Sequence, residues 1–157
     1  IVLLVIGGTN PNKSKDIHLN ELISVSKRMK LYNNVVFTGQ ISIPEMYEYI
    51  YNSDVCISPI PPKLFFKISS PSKVLDYLSM SKPVVANSEI LDHVDILKNS
   101  RGGILVPYNS ELFAKAILHL LDNQSHSKKM GKLGYKWIIN NRNYRHVAGR
   151  IVDSYEK

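Results

Sequence analysis

The chain has 157 residues, 44% hydrophobic and 21% charged, a balance that suits one globular domain able to bury a core. No apolar run approaches the ~18 residues of a membrane helix, and the opening IVLLVIGG is too short for one and lacks the basic flank of a signal peptide. A net charge of +7 favours anionic partners such as nucleotides, nucleic acid or acidic lipid.

That charge is uneven. Lys128, Lys129, Lys132, Lys136, Arg142, Arg145, Arg150 and Lys157 crowd the C-terminal part against Asp153 and Glu156, a pattern that fits either an anionic partner or a solvated helical surface. The single cysteine, Cys56, cannot form an internal disulfide. Its apolar surroundings suggest a buried thiol in a reducing compartment. Because the sequence starts at Ile1 inside a strand-like run, with no Met, it reads as a piece of a longer protein.

Taken in chain order, Val2 to Ile6 is a continuous apolar run ending in Gly7-Gly8, which predicts a buried strand and a turn. TNPNKSKD, residues 9–16, reads as loop. Leu19, Leu22, Ile23, Val25 and Met29 recur at near-helical spacing and predict a helix from His18 to Leu31. Val35 to Thr38 is a strand between Asn and Gly, and Pro44 to Asn52 a helix with proline in its first turn. Asp54 to Ser58 is a second buried strand, followed by a Pro-rich loop over Pro59 to Ser70.

A helix follows from Pro71 to Met80, then a strand in PVVAN, a helix from Ile90 to Lys98 and a strand in GGILVP. Ser110 to Leu121 predicts a helix with Leu112, Ala116, Ile117 and Leu120 on one side. The remainder reads as two helices broken near Asn140 to Asn143, which Trp137 and Tyr144 would anchor. Alternating strands and helices, with strands apolar on both faces, predict an open, parallel, doubly wound α/β sheet of Rossmann-like type, a single domain over residues 1–157.

In such sheets ligands sit beyond the carboxyl ends of the strands, where the helix after Ser70 begins. Ser70 is the expected N-cap and Pro71 the first helical residue, leaving the amides of Ser72, Lys73 and Val74 facing the crevice, where the helix dipole favours an anion. At ~100° per residue, Val74, Leu75 and Leu78 share an inner face while Ser72, Lys73 and Asp76 share a polar one. Amides, hydroxyl and ammonium suit a diphosphate, and a carboxylate one turn on suits two vicinal ribose hydroxyls. Ordinary capping plus a Lys73–Asp76 surface pair explains the same residues equally well.

SPSKVLDYLSMSKPVVAN resembles the donor-site helix of the retaining GT-B glycosyltransferases, glycosyl transferases group 1 or family 4, which often read S-P-x-K-x-x-E-Y-x-x-x-G-K-P-V-V there. LLVIGG, NNVVFTGQISIPEMYEYIYNSDVCISP, GGILVPYNSELFAKAILHLLDN and NYRHVAGRIVDSYEK resemble further family segments in the same order, so the resemblance spans nearly the whole chain. It implies the C-terminal, donor-binding lobe of such an enzyme, with the N-terminal acceptor lobe and the first strand–helix unit of this lobe lying before Ile1. Asp76 stands where the family's glutamate binds the ribose. Ser72, Lys73 and Val74 would contact the diphosphate, Gly8 the nucleotide side, and the segment Thr38 to Ile43, with Gly39 and Ile41, the base.

The sequence departs from that pattern at three places, the first being Asp76, one methylene shorter than the family's glutamate. Ile68 stands where the family has its first acid, eight residues before the second, and Ser81 where it has glycine before Lys-Pro. Phe66, Lys67 and Ser70 fall on the sugar or acceptor side. The resemblance implies front-face retaining transfer of a hexosyl group from a nucleotide-diphosphate sugar to a glycan or lipid-linked acceptor, with no cofactor, no metal and no protein nucleophile. It implies a cytoplasmic enzyme, with peripheral membrane contact through the basic helices, and an isolated fragment without activity.

The five histidines show no metal-ligand spacing, and GGTN lacks both a full G-x-G-x-x-G and a Walker lysine. The alternatives are a nucleotide-sugar epimerase of the same fold, a receiver-like domain, for which Ser58-Pro59 replaces the needed aspartate, and a nucleic-acid-binding module, for which a reader motif is lacking.

Overall fold

The computed structural model of the chain describes residues 1–8 and 17–155; the loop expected at residues 9–16 lies outside them. The chain divides into two compact units, Ile1–Tyr49 and Ile50–Lys157.

The first unit contains β1 (Leu3–Ile6), α1 (Ile17–Arg28) and β2 (Val35–Gly39), and α2 (Ile43–Asn52) starts in it. β1 and β2 pair in parallel, from Leu3 opposite Val35 to Val5 opposite Phe37, with a shift before Ile6 meets Gly39. These elements lie where their periodicity puts them. Their burial does not follow: Leu3 and Val36 are exposed, and β1 is nowhere fully buried. Leu3 stands opposite Val35 and Leu4 opposite Val36, so the two exposed side chains, Leu3 and Val36, lie on opposite faces of the pair. A capping box starts α2. The Ser42 amide and hydroxyl both donate to Glu45 Oε2, at 2.8 and 2.7 Å, and the bond from the hydroxyl is the main cause that holds the Glu45 carboxyl below the usual range.

The second unit contains β3 (Cys56–Ser58), α3 (Leu64–Lys67), α4 (Ser72–Ser79), β4 (Val84–Asn87), α5 (Leu91–Ser100), β5 (Gly103–Val106), α6 (Ser110–Asp122), α7 (Gln124–Asn141) and α8 (Tyr144–Tyr155). Its sheet has the order β3-β4-β5, all parallel, with Cys56 opposite Val84 and Val84 opposite Gly103. All four residues of β4 are buried, and they alternate between two layers. Val84 and Ala86 pack with Val74 and Leu78 of α4, Ile96 and Leu97 of α5 and Ile138 of α7. Val85 packs on the opposite face with Phe113, Ala116 and Leu120 of α6. The sheet is therefore sandwiched between helices, as a doubly wound fold requires.

Three details differ from the sequence reading. The Pro-rich segment holds the short helix α3. On α6 the buried stripe is Phe113, Ala116 and Leu120, with Leu112 exposed at its edge. At the start of α4 the N-cap is Pro71, not Ser70, as described below. The break before α8 falls at Arg142 and Asn143, as expected. Trp137 packs against the core and lies 5.8 Å from the Arg142 guanidinium, whereas the side chain of Tyr144 lies outside the described set.

The C-terminal end of α4 sets how α4 is held. The Ser81 amide donates to Leu78 O at 2.9 Å and the Lys82 amide to Tyr77 O at 3.0 Å, with Ser81 at φ 58°. This is a Schellman turn with serine in the left-handed position that glycine normally fills. Gly131 of α7 lies against that turn so closely that a Cβ there would fall 1.9 Å from the Ser81 carbonyl oxygen.

Candidate functional site

In a β-α-β unit the helix runs back against its strand, so α4 begins at the carboxyl edge of the sheet, where β3 ends. Its first turn has extended backbone at Pro71 (φ −75°, ψ 112°) and no side-chain cap. Pro71 cannot follow Ser70 into the helix as the first turn residue because its ψ is that of an N-cap. The Ser70 hydroxyl instead donates to Asp92 Oδ2 at 2.8 Å. Asp92 sits in the first turn of α5, and Arg142 reaches it at 3.6 Å and Asp95 at 2.8 Å, so Ser70 fastens the entry of α4 to two neighbouring helices.

With Pro71 as cap, Ser72, Lys73 and Val74 are the first three helical residues, and none of their amides has an acceptor four residues back within the helix. The side chains of Ser72 and Lys73 are exposed, Asp76 is half-buried, and Val74 and Leu78 are fully buried. Burial of those two side chains, worth on the order of 1.5–3 kcal/mol each, fixes which face α4 turns outward. Val74 can therefore offer a ligand only its amide. Ser72 and Lys73 remain available through both backbone and side chain, with the Asp76 carboxylate one turn along.

Of the other expected site residues, Phe66 and Lys67 are exposed on α3. Gly8, Gly39 and Ile41 belong to the first unit. There the turn after β1 meets the end of β2: Gly7 donates to Gly39 O at 3.1 Å, and a Cβ on Gly8 would lie 3.7 Å from the Gly39 Cα and 3.3 Å from Leu19. Gly39 itself has φ 66°, a conformation that glycine adopts at no steric cost.

Sequence reasoning missed a buried polar network at the carboxyl edge of the second unit's sheet. His93 of α5 is fully buried, with Nε2 3.2 Å from Ser58 Oγ and Nδ1 3.1 Å from the Asn87 carbonyl oxygen. A carbonyl can only accept, so Nδ1 carries the proton and Nε2 accepts from the serine hydroxyl. Burial lowers the His93 pKa, against the Asn87 carbonyl and the Asp92 charge, which favour protonation.

Asn87 Oδ1 accepts from the Ile60 amide at 2.8 Å, and its Nδ2 donates to Glu89 Oε2 at 3.1 Å. Glu89 Oε1 accepts from the Tyr108 amide at 2.9 Å. Burial alone would raise the Glu89 carboxyl, but the Tyr108 and Asn87 hydrogen bonds, with Lys67 nearby, hold it below its usual range. The network ties the loops leaving β3, β4 and β5 to one another. Its sequence signal was a polar residue closing each of two apolar runs, Ser58 and Asn87, followed by a histidine one helical turn into the next element.

Residues 1–123 match the family described as glycosyl transferases group 1. The chain belongs to that family. No curated protein sequence matches it. Among solved structures, sucrose-phosphate synthase from Thermosynechococcus elongatus has a TM-score of 0.79 at 22% identity, covering 98% of this chain and 37% of that one. Anabaena HepE, solved in complex with UDP, gives 0.81 at 16% identity over 99% of this chain and 41% of that one. A glycosyltransferase from Rickettsia africae gives 0.75 at 19% identity, over 99% and 47%. These likenesses are of fold: the parallel α/β architecture of the C-terminal domain of GT-B glycosyltransferases. The chain spans less than half the length of each.

Two positions take on meaning in this glycosyltransferase family. Ser81, where the family pattern has glycine, occupies the left-handed position of the turn that ends α4. Ile68, where the pattern has an acid, is 74% exposed after α3. Among the described residues no three or more His, Cys, Asp or Glu side chains gather in a group able to hold a metal ion.

Proposed function

We propose that α4 binds the nucleotide-diphosphate part of a sugar donor and that the chain serves as the donor lobe of a retaining glycosyltransferase. The observation that supports this most is the pairing on one outward face of α4: the amides, hydroxyl and ammonium of Ser72 and Lys73 at the dipole-positive end, with Asp76 a turn away. Anabaena HepE, which shares the fold, has been solved with UDP and with UDP-glucose.

In this reading the Ser72, Lys73 and Val74 amides and the Lys73 ammonium take up negative charge as the bond between the anomeric carbon and the diphosphate oxygen breaks. That charge stabilisation is preorganised, because Val74 and Leu78 lock the helix against β4. The acceptor hydroxyl attacks the face that the diphosphate leaves and passes its proton to the departing diphosphate oxygen, which retains configuration, and no side chain of the second unit is required as nucleophile. Asp76 accepts from the ribose hydroxyls. A hexosyl group and a glycan or lipid-linked acceptor complete the proposal, and a buried, reduced Cys56 fits a cytoplasmic enzyme.

Titration with a nucleoside, its monophosphate and its diphosphate tests the reading. Affinity should rise steeply with each phosphate, by on the order of tenfold or more, as expected for charge-assisted contacts. Equal affinity for nucleoside and diphosphate would remove α4 from the account.

A further inference from the structure

Serine is a strong N-cap residue and proline suits the first helical position, so Ser70-Pro71 encodes a start of α4 one residue earlier than the one observed. In that earlier register the Ser70 hydroxyl would accept from the amide of the second or third helical residue, Ser72 or Lys73. Those are two of the three amides that the donor reading gives to the diphosphate. A serine cap and a bound phosphate oxygen therefore compete for the same donors.

The structure holds the cap off. Pro71 stands at ψ 112° as N-cap, and among the described residues no side chain caps the turn. The Ser70 hydroxyl lies instead 2.8 Å from Asp92 Oδ2, donating to a carboxylate, a stronger bond than accepting from a neutral amide. Ser70 is exposed, so packing does not fix where its hydroxyl turns; the bond to Asp92 does. Asp92 is itself held. Its side chain is only 17% exposed, and Arg142 Nη2 lies 3.6 Å from its other oxygen. Arg142, the C-cap of α7, is anchored in turn 2.8 Å from Asp95 and over the Trp137 ring. Local preference and observed helix start thus disagree at the turn the donor reading uses, which is where such conflicts are expected.

We infer that Asp92 is a positioning residue: it withholds the Ser70 hydroxyl from the N-terminus of α4 and so keeps the Ser72 and Lys73 amides open to a diphosphate. Without it, Pro71 turns into helical geometry, Ser70 caps the helix and the chain closes its own anion site. The use of those amides rests on the donor reading of α4; the withheld cap does not.

Amide NMR of the chain reads both, with inorganic pyrophosphate as the probe. In the parent the Ser72 and Lys73 amides should exchange rapidly with solvent and shift when pyrophosphate is added. In Asp92→Ala, with its melting temperature checked, one of them should exchange about fivefold more slowly, as a serine cap provides. Pyrophosphate should bind that variant about fivefold more weakly, because it has to displace the cap. Asp92→Asn, which keeps the shape and loses the charge, should fall between the two. Removing the cap as well, in Ser70→Ala/Asp92→Ala, should return exchange and affinity to those of the parent, a rescue that a merely structural loss at Asp92 would not show. Unchanged exchange in Asp92→Ala overturns the inference, and so does a double variant that exchanges as slowly and binds as weakly as Asp92→Ala. Slowed and rescued exchange with no pyrophosphate shift in any form supports the withheld cap and removes the diphosphate from α4.

Discussion

Gly131→Ala places a methyl carbon 1.9 Å from the Ser81 carbonyl oxygen, 2.7 Å from its carbon and 3.3 Å from the Pro83 nitrogen. All three are backbone atoms of the turn between α4 and β4, so no side chain can rotate away. Overpacking costs about 1–3 kcal/mol even where side chains relax, and a clash with backbone belongs at or above the top of that range. Against it stands the better helix propensity of alanine, about 1 kcal/mol. The net expectation is a loss of about 2 kcal/mol or more, seen as a fall of roughly 4–8 °C in melting temperature for a chain of this size. Thermal unfolding followed by circular dichroism measures it. Gly149→Ala in α8 is the control, because a Cβ there meets nothing within 4 Å; it should match the parent or gain up to about 1 kcal/mol. A Gly131→Ala melt equal to that of Gly149→Ala would refute the packing of α7 on the turn that ends α4.

Two more outcomes follow from the same fold. Ser81→Gly should stabilise the chain by about 0.5–1 kcal/mol, because a serine at φ 58° carries a left-handed penalty that glycine does not, partly offset by the freedom glycine gains on unfolding; a lower melting temperature would contradict that turn geometry. The buried His93 has its pKa lowered, so the unfolded chain binds the extra proton first. Stability is then complete above the unfolded histidine value of about 6.5 and lost as pH falls below it. The fall between about pH 6.5 and 5 should exceed that of His93→Gln by up to about 1.4 kcal/mol per pH unit, and parallel profiles from denaturant titrations would show that His93 is not held neutral by the fold.

Periodicity located every described helix and strand of the chain except α3. Four apolar and basic residues after a run of prolines give too short a window for a helical period, and local hydrogen bonds back to Lys63 and Phe66 decide their conformation. Burial was legible where an apolar run is covered on both sides, as at Val84 to Asn87. It was not legible at Leu3 and Val36, because the same residue types are written whether or not something covers the strand.

The outward face of α4 could be read from helical spacing alone, since Val74 and Leu78 must turn inward together. The identity of its cap could not. Serine is the stronger capping residue by propensity, but Ser70 is drawn to Asp92, 22 residues later, and that tertiary bond hands the cap to Pro71. The His93 network was hidden for a similar reason: its partners lie 35 and six residues away, and only the parallel register of β3 and β4 brings Ser58 and Asn87 beside the same imidazole.

The central claim is that α4 holds a nucleoside diphosphate with Asp76 on the ribose. Calorimetric titration of UDP, GDP and ADP into the chain, beside Asp76→Ala with its melting temperature checked, tests it most directly. One diphosphate should bind, and the variant, still folded, should bind it about 10- to 100-fold more weakly, as expected for loss of two hydrogen bonds to a charged acceptor. Undiminished affinity in Asp76→Ala would contradict the assignment and put the ribose elsewhere.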